Sequence, residues 1–193
     1  MKNIRTLLTL SLLASPILAD GPKHAFEVQA SAVIASQDTN RMIDGNNLTG
    51  SSIGIAYRGQ LGEGLYHRVR LDATGMKAKV ETGMSGAAPK HLSLGWDIIQ
   101  DVGKWSFYGG LLGQKWSQTV DDQTSSAYRD MNLAGTSNGN GTPKGTKFGA
   151  RIGVERALNK DFAFFAGYTQ VEFNRRLNPG WYNLGLIYKF GRL

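Results

Sequence analysis

The sequence predicts an all-β fold: an eight-stranded antiparallel up-and-down transmembrane β-barrel. Three observations predict it. Apolar and polar residues alternate through eight separate segments, the mark of strands with two different faces. The connections between them are alternately short and long. Beyond the first 19 residues, no apolar run approaches the roughly 20 residues that a spanning helix needs. In lipid only helices and closed barrels satisfy every backbone polar group, so a chain of this kind crosses a membrane as a barrel.

The chain has 193 residues, a length that suits one domain. Residues 1–19 read as a secretory signal peptide. Lys2 and Arg5 form a positive start, Leu7, Leu8, Leu10, Leu12 and Leu13 a short apolar core, and Ile17-Leu18-Ala19 a cleavage site before Asp20. Thr9, Ser11, Ser15 and Pro16 interrupt the apolar core, which makes it too short for a membrane anchor. Residues 20–193 are then the barrel domain.

Strand one is expected at 24–36, with Phe26, Val28, Ala30, Ala32 and Ile34 on one face and Glu27, Gln29 and Ser31 on the other. Strand two, 49–59, sets Ile53, Ile55 and Tyr57 against Gly54, Ala56 and Arg58. Strand three, 64–74, sets Leu65, Val69, Leu71 and Ala73 against Tyr66, Arg68, Arg70 and Asp72, with His67 out of place on the apolar face. Strand four, 89–99, sets Leu92, Leu94, Trp96 and Ile98 against His91, Ser93, Gly95 and Asp97. Strand five, 105–116, sets Trp105, Phe107 and Leu111 against Ser106, Tyr108, Gly110 and Gln114, but Leu112 and Trp116 fall on the polar face. Strand six, 146–157, sets Phe148, Ala150, Ile152 and Val154 against Lys147, Gly149, Arg151 and Glu155. Strand seven, 162–173, sets Phe162, Phe164, Ala166 and Tyr168 against Ala163, Gly167 and Thr169. Strand eight, 181–190, sets Tyr182, Leu184, Leu186, Tyr188 and Phe190 against Asn183, Gly185 and Lys189.

Residues 60–63, 100–104 and 158–161 are tight turns, whereas 37–48, 75–88 and 117–145 are long and 174–180 is intermediate. Short periplasmic turns and long extracellular loops are the asymmetry of outer-membrane barrels. A soluble lipocalin-like barrel shares the alternation, and two features weigh against it. The polar face is rich in glycine, which weakens a solvated strand but leaves room for long charged side chains in a narrow lumen. The apolar face carries aromatics at both ends: Phe26, Tyr57, Trp105, Phe107, Phe162, Tyr188 and Phe190 near the turns, Phe148, Tyr168 and Tyr182 near the loops. Two such belts match two membrane interfaces.

The C-terminus adds a third feature. The stretch WYNLGLIYKF alternates Tyr182, Leu184, Leu186, Tyr188 and Phe190. It resembles the C-terminal assembly signal of bacterial outer-membrane proteins, an aromatic end with Tyr two positions earlier, although Gly191, Arg192 and Leu193 follow it here. Over residues 24–190 the chain resembles the small eight-stranded barrels typified by the transmembrane domain of outer membrane protein A, outer membrane protein X and the opacity proteins. That resemblance implies an outer-membrane location, contact with lipid and lipopolysaccharide, handling by the barrel assembly machinery, and a monomer.

An eight-stranded lumen is just wide enough to be filled by side chains. Its expected filling is a charge network of Glu27, Arg58, Arg68, Arg70, Asp72, Asp97, Arg151, Glu155 and Lys189, with Glu27 and Lys189 forming a salt bridge across the seam between the first and last strands. This reading gives a non-enzymatic structural or surface-interaction protein, with the long loop 117–145 as the contact surface for an unknown partner. The alternatives are a lipid A-modifying enzyme, on the strength of His91-Leu92-Ser93, a small-solute pore, and a soluble lipocalin-like binding protein. No cofactor or metal site is expected: His24, His67 and His91 lie on different strands, and there is no cysteine. The formal charge of +7 falls to +5 once Lys2 and Arg5 are removed with residues 1–19. It is scattered, without the basic stripe of a nucleic-acid binder.

Overall fold

A computed structural model describes residues 23–36, 48–77, 88–119, 145–172 and 180–191. The expected signal peptide and most of the expected loops, including 120–144, lie outside the described residues. Eight strands run β1 His24–Ala35, β2 Thr49–Gly62, β3 Leu65–Lys77, β4 Ala88–Val102, β5 Trp105–Thr119, β6 Gly145–Ala157, β7 Phe162–Val171 and β8 Gly180–Phe190. Every neighbouring pair is antiparallel, and β1 pairs with β8 to close the barrel. Strands β2 to β5 extend past their expected ends, because backbone pairing continues where the apolar alternation fades, as at Gly75 opposite Lys90.

The turns are tight for local reasons. Gly64 and Gly103 take positive φ of 65° and 62°, a conformation that residues with a Cβ rarely adopt. In the β6–β7 turn the Asn159 side-chain oxygen accepts the N–H groups of Asp161 and Phe162, each at 2.8 Å, the local bond that makes Asn a turn residue.

The two faces are inverted relative to a soluble protein. Leu111, Phe148 and Ile152 stand 68%, 74% and 65% exposed on the outer wall, while Glu27, Arg68, Asp97 and Glu155 are buried inside. Phe26 and Phe190, which a soluble barrel would turn inward, point outward and stack at a centroid distance of 5.9 Å. They belong to a turn-side belt that continues through Tyr57 and through the Phe162–Tyr188 pair at 5.0 Å. Tyr168 and Tyr182, also 5.0 Å apart, mark the loop side. His67 is accommodated at the turn-side belt. It is half-buried, edge-on to Tyr57 at 6.0 Å, while the Tyr57 hydroxyl bonds His24 Nδ1 at 2.7 Å.

Candidate functional site: the barrel lumen

Strand β3 reads the lumen from bottom to top. Its inward residues are Tyr66, Arg68, Arg70, Asp72, Thr74 and Met76. The order on this strand is an aromatic floor, a charged middle, a hydroxyl layer and an apolar top.

Arg68 is the hub of the charged middle. Its Nε donates to Asp97 Oδ2 at 3.0 Å, and its Nη1 donates to Glu27 Oε2 at 3.2 Å and to Glu155 Oε1. Arg151 continues the network upward, donating from Nε to Asp97 Oδ1 and from Nη1 to Asp72 Oδ2 at 3.3 Å. Asp72 also accepts from Arg70 Nε at 2.6 Å and from Gln29 Nε2. Lower down, Arg58 Nη2 donates to Asp101 Oδ2 at 2.6 Å, with Glu155 3.9 Å from its other terminal nitrogen. Such shared geometry, one guanidinium bonding several carboxylates, suits its multiple fixed N–H donors.

The lumen accommodates these long side chains because glycines stand opposite them. A Cβ on Gly95 would meet Arg151 Nη2 at 2.6 Å, and one on Gly110 would collide with Asp97 Oδ1. Gly153 and Gly167 leave the space filled by the Tyr108 hydroxyl.

The structure brings eight of the nine expected lumen charges into ion pairs: Glu27, Arg58, Arg68, Arg70, Asp72, Asp97, Arg151 and Glu155. Lys189 is the exception, and the expected Glu27–Lys189 salt bridge is not formed. The two residues are register partners, but no ion pair within 4.0 Å joins them. Glu27 turns across the lumen to Arg68 instead, because a guanidinium held by three carboxylates offers better geometry than a flexible ammonium at the rim. Sequence reasoning missed Asp101, assigned to a turn; it is the ion-pair partner of Arg58. Glu27, Asp72, Asp97, Asp101 and Glu155 equal Arg58, Arg68, Arg70, Arg151 and Lys189 in number, and Lys147, on the inward face of β6 nearer the loop side, adds one further positive charge.

Two apolar clusters sit toward the turn side of the lumen, on different parts of its wall: Tyr66, Ile99 and Tyr108, and Ala163, Phe165 and Ile187. Arg58 lies 4.0 Å over the Tyr66 ring and Arg68 4.9 Å over that of Tyr108, so floor and network are joined by cation–π contacts. Above them His91 packs on Trp181 at 4.7 Å, and Gln114 donates to Ser93 Oγ at 2.8 Å. Between these layers a lumen void of about 20 Å³ touches Thr74, His91, Arg151 and Trp181, room for about one water. The pieces of the catalytic alternative are thus separately engaged: Ser93 is bonded to Gln114, and Asp97 is held by Arg68 and Arg151.

A closed eight-stranded barrel with apolar walls and a charged interior has counterparts among solved structures. Ail, the attachment invasion locus protein of Yersinia pestis, in complex with the heparin analogue sucrose octasulfate, superposes with a TM-score of 0.55 at 13% identity over 88% of this chain and 99% of Ail. Neisserial surface protein A gives 0.52 at 18% identity, over 87% and 97%. The outer membrane protein Ail in a phospholipid bilayer nanodisc gives 0.50 at 14%, over 86% and 99%. The chain folds as a small outer-membrane β-barrel. No protein-family model matches its sequence, and no curated protein does. As in any barrel of this kind, the surfaces available to partners are the two rims and the wall.

Proposed function

We propose that this chain is an outer-membrane protein without enzymatic activity, a sealed anchor that presents its long loops at the cell surface. The observation that carries this reading is the filled lumen: a buried ion network packed with apolar side chains inside an apolar-walled barrel. A pore needs a wet, open path, and a lipocalin-like carrier needs an apolar cavity and a solvated wall. Residues 1–19 serve as the export signal. Tyr182, Leu184, Leu186, Tyr188 and Phe190 serve as the signal read by the assembly machinery. Loop 117–145 is the contact surface for a partner, and lipopolysaccharide is the surrounding lipid.

The test is electrophoresis of unboiled and boiled samples in detergent, together with planar-bilayer recording. A mobility shift with no steady conductance is the expected result. Solubility without detergent and no shift would overturn the membrane reading, and a stable open channel would overturn the sealed lumen. Expression should also leave the acyl pattern of lipid A unchanged; an altered pattern abolished by Ser93→Ala would establish an enzyme instead.

A further inference from the structure

The outer wall is uneven. Where β1, β2 and β3 approach the loop side, several outward residues are small: Ala30, Ala32, Ser51, Ala73 and Gly75, with Ile53 among them. Register places them in two adjacent rows. One runs Leu184, Ala32, Ser51, Gly75, Lys90; the other runs Leu186, Ala30, Ile53, Ala73, Leu92, Lys115. The result is an open apolar groove of about 880 Å³, bounded by the leucines on one flank and by Lys90 and Lys115 on the other. A Cβ added at Gly75, beside Lys90, would meet nothing within 4 Å.

The charge at this groove is of one sign. Lys77, Lys90 and Lys115 all point outward and are exposed. Among the described residues none of the three enters an ion pair. The carboxylates of β1 to β4, Glu27, Asp72, Asp97 and Asp101, belong to the lumen network, and the outward Glu172 follows β7, two strands from β1 and two from β5, and does not line the groove. Register runs from the loop-side Tyr182 through Ile34 and Thr49 to Lys77, and the next outward row ends at Lys90, so the lysines belong to the loop-side end of the wall, where an interface would lie. An apolar depression in the hydrocarbon zone beneath cations at the interface complements one chemistry, acyl chains beneath an anionic head.

We propose that this groove binds one phosphorylated glycolipid of the outer leaflet, lipid A, with acyl chains over Ala32, Ser51 and Ala73 and a phosphate held by Lys90 and Lys115. The site rests on the membrane reading above. The small residues span three strands about 4.8 Å apart, a width that takes more than one chain side by side. Lysine suits the phosphate as a mobile point charge on a flexible stem that reaches up to the interface.

The experiment is native mass spectrometry of the full chain folded in dodecylmaltoside, with bisphosphorylated lipid A, dephosphorylated lipid A and phosphatidylcholine as probes. Mobility on an unboiled gel checks the fold of every variant. The expected result is one retained bisphosphorylated lipid A, with retention reduced about tenfold or more by Lys90→Gln/Lys115→Gln, since each interfacial lysine contributes roughly fivefold to the attraction of anionic lipid. Dephosphorylated lipid A should bind as weakly to the wild type. Ser51→Phe, which fills the groove and leaves the lysines in place, should also reduce retention. Equal retention of phosphorylated and dephosphorylated lipid, or indifference to both variants, would overturn the site and show ordinary boundary lipid. That failure in a protein that still shifts on the gel leaves the barrel reading intact, whereas loss of the gel shift in the wild type would strike the barrel reading itself.

Discussion

Replacing Arg68 with methionine should be the most damaging single change in the lumen. Arg68 is 1% exposed and serves three carboxylates that are themselves 2% exposed or less. At 3.0 Å an ion pair is worth about 5 kcal/mol at an effective dielectric of about 20, before desolvation is subtracted. The net cost of stranding a buried charge by removing its partner is about 3–5 kcal/mol. The three carboxylates do not suffer alike. Asp97 keeps Arg151, and Glu155 keeps Arg58 at 3.9 Å, but Glu27 loses its ion pair. Glu27→Gln should therefore rescue Arg68→Met by about 1–3 kcal/mol, although the same change destabilises the wild type, and Asp97→Asn should not rescue it. The assay is urea unfolding of the protein in lipid vesicles, followed by tryptophan fluorescence, for the full double-mutant cycle. A loss below about 1 kcal/mol in Arg68→Met, or a Glu27→Gln effect of the same sign in both backgrounds, would refute the hub.

Lys189→Gln, removing a lumen cation that makes no ion pair among the described residues, should cost under about 1 kcal/mol in the same unfolding assay; in the Arg68→Met background it should cost more, since Lys189 is register partner to Glu27. Gly95→Leu should lower stability by about 1–3 kcal/mol through overpacking, because Arg151 fills the space beside it, whereas Gly75→Ala should be near neutral, since nothing lies within 4 Å of its new methyl group. Phe190→Asp should sharply reduce the folded fraction on an unboiled gel, because it puts a charge into the aromatic belt formed with Phe26 and Tyr188; a normal folded yield would argue against that belt.

The alternation in the sequence is legible because a strand with one lipid face and one charged face writes its parity residue by residue, as Phe26-Glu27-Val28-Gln29 does. It fails where both faces are apolar. Ile98-Ile99, Phe164-Phe165 and Leu186-Ile187 are such doublets, and in each the second residue plugs the lumen. Period two cannot distinguish a lumen plug from a lipid contact when both are hydrophobic, so Ile99, Phe165 and Ile187 are hidden, whereas Tyr66 and Tyr108 already fall on the polar face. The partner of each charge was equally hidden. Glu27 and Arg68 sit on strands that are not neighbours, and pairing across a lumen depends on side-chain length and on the glycines opposite, not on register. Asp101 was lost for a simpler reason. Strand β4 runs to Val102, past the point where its apolar alternation ends.

Sealing is one consequence of the network; register is another. Sliding one strand by a single residue against its neighbour would turn all its lumen charges into lipid and its aromatics into the lumen. For β3 that would expose Arg68, Arg70 and Asp72 to hydrocarbon, at about 2–4 kcal/mol for each arginine near the midplane, and would leave Glu27 inside without its ion pair while Asp97 and Glu155 each lose one of two. The apolar residues alone specify register less sharply, because Tyr66, Ile99, Phe165 and Ile187 show that the lumen accepts large hydrophobic side chains. A buried ion network is a poor source of stability relative to a well-packed apolar core. Its value in this barrel is that it makes one pairing of the strands far better than the next, and so fixes where the lysines, tyrosines and loops of the outer surface stand.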